Sequence, residues 1–118
     1  MNKKGLVNRM CAYNKAISDP NRMVIVKILG SHEPKTLKVG DIAEILGLSQ
    51  PAATKHLQIM EDVGLLTRHR EGTSVYYILD DEALADYRQQ LDYAFEHAYS
   101  PCAYEFKCDE CPVGDTCM

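Results

Sequence analysis

Apolar residues recur at helical spacing through most of the chain. Leu6, Met10, Tyr13 and Ile17 form one stripe, which predicts a first helix over 6–17. Ser18-Asp19-Pro20 breaks and restarts it, because Asp can cap a helix and Pro fits the first turn. Val24, Ile25, Ile28 and Leu29 predict a second helix over 21–29 that ends at Gly30, followed by the polar connector SHEPKT. Val39, Ile42, Ala43 and Leu46 then mark a short amphipathic helix that stops at Gly47. Ser49 is placed to cap a further helix with Pro51 in its first turn. Ala53, Leu57 and Met60 point that helix inward until Gly64 ends it. Two helices of about eight to fifteen residues, joined by a short turn containing Gly, are a helix-turn-helix pattern.

The periodicity then changes. Leu65 to Arg70 and Ser74 to Leu79 are rich in β-branched and aromatic residues, with Val75, Tyr77 and Leu79 alternating on one face. Glu71-Gly72-Thr73 between them predicts a hairpin with a three-residue loop. After Asp80 the helical spacing returns as Leu84, Tyr87, Leu91, Ala94 and Ala98, ending before Ser100-Pro101. The expected fold is therefore mainly α with a small β-hairpin wing (α+β), a winged helix-turn-helix. It divides into a winged-helix domain over 1–99 and a Cys-rich segment over 100–118.

Composition narrows the class. The chain has 118 residues, 46% apolar and 25% charged, the balance of one soluble globular domain. No apolar run approaches the roughly 18 residues of a membrane span. The basic start lacks an apolar stretch for export, so a cytoplasmic protein is expected. Trp is absent and Phe occurs twice, so the core must be built from Leu, Ile, Val, Met and Tyr. The net charge of -4 conceals an asymmetry: residues 1–79 carry 11 Lys+Arg against 7 Asp+Glu, and residues 80–118 carry 2 against 10. Such a split suits a nucleic-acid face beside a separate acidic part, although a solvated acidic tail would give the same count.

DPNRMVIVKIL, VGDIAEILGLSQPAATKHLQIMEDVGLL and RHREGTSVYYIL together resemble the ArsR/SmtB family of bacterial repressors, from about residue 10 to residue 98. The resemblance implies a homodimer joined through its first and last helices. It also implies binding to double-stranded operator DNA with an inverted repeat, and release when a metal ion, metalloid or oxidant changes the dimer's shape. Dimerisation would use the stripe from Leu84 to Ala98, part of which also suits a core face within the chain. No enzyme is expected, since the Cys-x-x-Cys lies outside any βαβ context.

The side chains suit that task. A recognition helix puts its N-terminal residues into the major groove, which here are Gln50, Ala52, Thr54, Lys55 and His56. Gln can pair with adenine through two hydrogen bonds, and Ala or a Thr methyl can meet the thymine methyl. Lys55 and the Ser49 hydroxyl suit phosphate. Arg68, His69 and Arg70 in the wing can reach the flanking backbone or minor groove.

Two inducer sites implied by the resemblance lack their ligands. A Cys-x-Cys pair would fall on Lys38 and Gly40, which offer no thiolates. An Asp-x-His with His-x-x-Glu set would fall on Asp80, Glu82, Tyr93 and Glu96, with oxygen in place of both imidazoles and poor affinity for zinc. Asp80 is better suited to capping a helix.

Four cysteines remain at the end: Cys102, Cys108, Cys111 and Cys117. In a reducing compartment such a cluster reads as metal-binding or redox-active. Cys108 and Cys111 can bite one ion with both sulfurs, and the outer pair can complete a tetrahedron. A thiophilic ion ranks first: zinc, cadmium, lead, or trivalent arsenic or antimony. An iron–sulfur cluster or a reversible disulfide comes next. A structural zinc, unliganded thiols, and a metal-binding adaptor that does not bind DNA stay open. Cys11, on the first helix, reads as a small buried apolar residue that can add a ligand if the dimer brings it near Cys102.

Overall fold

The computed structural model describes residues 5–112. Helices α1 (Gly5–Ile17) and α2 (Pro20–Gly30) lead into the pair α3 (Val39–Leu46) and α4 (Gln50–Asp62). Strands β1 (Leu66–Glu71) and β2 (Ser74–Leu79) form an antiparallel hairpin, and α5 (Asp81–His97) follows. A short 3-10 turn, Cys108–Glu110, lies in the segment after α5. The winged helix-turn-helix expected from the periodicity is present in order.

Local chemistry sets the boundaries. Asp19 caps α2, its carboxylate accepting from the Asn21 N–H at 2.8 Å, with Pro20 in the first turn. The turn between α3 and α4 depends on Gly47, whose φ of +69° is open to glycine without a Cβ penalty. There the Leu48 N–H reaches back to the Ala43 carbonyl at 2.9 Å. Ser49 caps α4 by accepting from the Ala52 N–H at 3.3 Å.

The core lies where α2, α3, α4 and the hairpin meet. Ile25, Ile42, Leu57, Met60, Leu65, Leu66 and Tyr77 are essentially sealed from water, and Ala16 of α1 joins them. Val75 and Leu79 pack against the same cluster as Tyr77, as their alternation requires.

Several local expectations are corrected. Val24 is 46% exposed, because the inward stripe of α2 runs through Ile25 and Ile28. Gly30 is the last residue of α2, and Ser31 is its cap. Ala98 is exposed and lies just beyond α5. Cys11 is exposed as well, beside Ile59 of α4 and Val63 just after it. The hairpin loop has two residues, since Glu71 pairs with Ser74. Gly72 has a φ of +62° and Thr73 no positive φ, the pattern of a II′ turn, whose twist matches that of the strands.

Helix α5 is attached differently from the rest. Its Tyr87 ring packs on Tyr13 of α1, with centroids 5.3 Å apart, and its hydroxyl donates to Asn14 Oδ1. Burial raises the Tyr87 pKa above the ordinary tyrosine value. Within this chain only Tyr87 and Ala94 of α5 are buried, while Phe95 is 69% exposed. The body is accordingly elongated, with extents of 54 × 23 × 22 Å.

Asp80 caps α5, its Oδ1 accepting from the Ala83 N–H at 3.0 Å. Asp80→Ala is expected to lower stability by about 1 kcal/mol, and Asp80→Asn to keep most of it. Urea unfolding at fixed protein concentration measures both.

Candidate nucleic-acid interface

Helix α4 buries Ala53, Leu57 and Met60 on one face and leaves the other face of its first two turns more open. Gln50 and Lys55 are exposed; Ala52, Thr54 and His56 are half-buried. Gln50 and Thr54 are four residues apart and so share a face, as neighbouring turns of a helix do. Ser49, exposed at the cap, has its oxygen engaged by the Ala52 N–H.

His56 has a partner that no local pattern reveals. Its Nδ1 lies 2.9 Å from Nη1 of Arg22 in α2, and Arg22 Nε donates to the Ala16 carbonyl. A guanidinium has donors only, so Nδ1 accepts and Nε2 carries the ring hydrogen. Arg22 therefore joins α1, α2 and α4 and leaves His56 the Nε2–H as its ring donor. The contact spans 34 positions in sequence, beyond the reach of any periodicity.

The wing separates residues that the sequence places side by side. Arg68 pairs with Tyr77 and Arg70 with Val75, so both arginines stand on the core-side face of the ribbon; His69, opposite Tyr76, stands on the other. They do not form one cluster. Burial raises the Tyr77 pKa above the ordinary tyrosine value and the Glu61 carboxylate adds to this, while the Arg68 guanidinium works against both. His69 Nε2 lies 3.1 Å from Thr67 Oγ1. Arg70, which reaches the Gly72 carbonyl at 3.4 Å, is nearest the wing tip. There Lys35 donates to Glu71 at 2.6 Å across an exposed ion pair, which offsets an acidic charge on the wing. Its contribution to stability is small, about 0–1 kcal/mol.

The residues aligned with the two inducer sites have structural places. The Lys38 backbone N–H donates to Asp41 Oδ2 at 2.9 Å at the start of α3, and Asp80 is the α5 cap. Among the described residues, no three His, Cys, Asp or Glu gather as a metal-holding group. In the C-terminal segment Cys102 and Cys111 are half-buried, and Cys102 Sγ accepts from the Phe106 N–H at 3.4 Å. Cys108 opens the 3-10 turn, and Cys117 lies outside the described residues.

A capped outward helix set on a helix-turn-helix and followed by a hairpin defines a winged-helix, DNA-binding regulator of transcription. Comparison with known proteins agrees. A family described as a helix-turn-helix domain matches residues 17–69. The transcriptional repressor SdpR of Bacillus subtilis is 38% identical over 72 residues, covering 61% of this chain and 77% of SdpR. A homologue of the cadmium resistance regulatory protein CadC from Staphylococcus aureus is 36% identical over 83 residues, covering 70% and 64% respectively. The solved homodimeric winged helix-turn-helix domain of a possible ArsR-family regulator from Mycobacterium bovis is 27% identical. It superposes with a TM-score of 0.61 over 78% of this chain and 83% of its own. The chain belongs to the ArsR/SmtB family of transcriptional regulators. It is a regulator and not an enzyme. Among the described residues no helix is long and apolar enough to cross a membrane.

Proposed function

We propose that this protein is a homodimeric, cytoplasmic repressor that leaves its operator when a thiophilic metal or metalloid binds the C-terminal cysteines. The observation that carries the effector reading is the donor set: four soft thiols within sixteen residues, in a chain whose positions matching the family's two other inducer sites hold Lys38, Gly40, Asp80, Glu82, Tyr93 and Glu96. Cys102, Cys108, Cys111 and Cys117 would hold the ion, whether zinc, cadmium, lead, or trivalent arsenic or antimony. A relative named for cadmium resistance supports that class of ion. Residues 1–99 would carry DNA binding and dimerisation, and residues 100–118 the effector segment.

A second copy of the chain is supported by the state of α5. Tyr93 is 40% and Phe95 69% exposed, and Gln90 Oε1 is buried with no hydrogen-bond partner among the described residues. A buried amide oxygen without a donor is costly, and a dimer through α1 and α5 can supply one.

On DNA, Gln50, Ala52, Thr54 and His56 would meet base edges, with Ser49 and Lys55 on phosphate. Arg68, His69 and Arg70 would flank them in the wing. Arg70→Ala is expected to weaken binding to all sequences alike and to reduce the slope of log affinity against log salt by about 1. Titrations of one duplex at several salt concentrations measure it.

The effector reading is tested on protein purified without oxygen, by its metal, iron and acid-labile sulfide content. Metal-free protein, or one thiophilic ion per chain, supports it when added Cd(II) then weakens DNA binding. Iron with sulfide would replace it by an iron–sulfur sensor. Equal DNA affinity with and without Cd(II), zinc and trivalent arsenic would overturn it.

A further inference from the structure

Gly40 is the second residue of α3, and its φ is not positive, so its backbone does not require glycine. Glycine inside a helix is unfavourable relative to alanine, so the missing side chain calls for another reason. The reason on the molecule is Gln50. A Cβ built at Gly40 would stand 2.9 Å from Gln50 Nε2 and 3.7 Å from its Cδ, the first closer than real Cβ contacts allow. The terminal amide of Gln50 thus lies directly against the backbone of α3. It forms part of the wall of a hollow of about 380 Å³ between the start of α3 and the wing tip, with Lys38, Thr73 and Ser74 around it.

We propose that Gly40 is a positioning residue that sets the orientation of Gln50, and through it the base preference of α4. The inference rests on the reading of Gln50 as a base contact. A glutamine side chain at the first position of a helix, exposed to solvent, has several rotatable bonds and no fixed direction. Leaning it on a bare stretch of α3 backbone removes much of that freedom before DNA arrives, and preorganisation of this kind favours one hydrogen-bonding geometry. A methyl group at position 40 would meet only the far end of a flexible side chain. The fold should therefore accept it while Gln50 moves.

The test selects duplexes from a random-sequence library with the full-length wild type, Gly40→Ala, Gln50→Ala and the double variant, and measures the thermal stability of each. Gln50→Ala is expected to relax preference at one position of each half-site, by roughly five- to 150-fold against the wrong base. Gly40→Ala is expected to relax or change preference at that same position. Its Tm should stay level or rise by up to about 4–8 °C, which separates recognition from folding. The double variant should match Gln50→Ala alone. A wild-type base profile in Gly40→Ala, beside a relaxed one in Gln50→Ala, overturns the positioning role and leaves Gln50 as a base contact. Additive losses in the double variant would give Gly40 a contact of its own and also overturn it. A profile unchanged by Gln50→Ala removes the base-contact reading, and this inference with it.

Discussion

Leu57→Ala is expected to destabilise the protein by about 2–5 kcal/mol, a large part of the roughly 5–15 kcal/mol that holds a domain of this kind folded. Leu57 is fully buried in the central cluster, and α4 packs there on α3, β1, α2 and α1. Truncation removes the transfer energy of three carbons and leaves a void that four elements must collapse to fill. The same residue holds the outward face of α4 in place, so operator binding should fall with stability. Gln58, the next residue and exposed, serves as the control, and Gln58→Ala should stay within about 0.5 kcal/mol of wild type. Urea midpoints at one protein concentration decide between them. A loss under about 1 kcal/mol at Leu57 would mean that α4 is held mainly by something other than this core.

Replacing Cys108 and Cys111 together by Ser is expected to abolish release from DNA by Cd(II). In the wild type, coupling between the cysteine segment and the DNA face should weaken binding about 5–150-fold, equivalent to roughly 1–3 kcal/mol. The paired variant loses the adjacent thiols that give one ion a two-point grip, and a hydroxyl is a poor ligand for a soft cation. Its DNA affinity without metal should be unchanged. Cys11→Ser should still respond, because Cys11 is exposed on α1 beside α4, away from the sequence of the four C-terminal thiols. The measurement is a Cd(II) titration of each protein bound to a duplex selected from random sequence. If the wild type binds Cd(II) through these cysteines and DNA affinity does not change, the ion tethers the segment and does not regulate.

Much of the reading head is legible in the sequence. The spacing of Val39, Ile42, Ala43 and Leu46, Gly47, the Ser49 cap and the buried positions Ala53, Leu57 and Met60 are all local signals, and each falls where the periodicity puts it. Long-range contacts explain the failures. Ala16 joins the core because helices meet there, which a one-stripe reading of α1 cannot foresee. Val24 is exposed although apolar, since α2 buries a narrower face than its composition allows. The Arg22–His56 contact and the bond from Tyr87 to Asn14 join residues 34 and 73 positions apart. Arg68, His69 and Arg70 are neighbours along the chain, and the pleat sets the two arginines and the histidine on opposite faces of the ribbon. The resemblance carries the fold; it says nothing of the cysteine segment, whose sequence departs from the sites it implies.

The Asp80 N–H donates to the Leu65 carbonyl at 2.8 Å, where the chain enters β1 and leaves β2. Mechanically this is a rivet. It fastens the foot of α5 to the heel of α4, and both ends of the wing share the joint. A tilt of α5 about its foot would pull on this joint first, so a force applied to the helix has a direct route into the heel of α4 and the wing. A signal that loosens operator binding in a dimer built this way need not reshape either half. A few degrees of rotation between the two, magnified by their length, would spoil the match to successive turns of the groove.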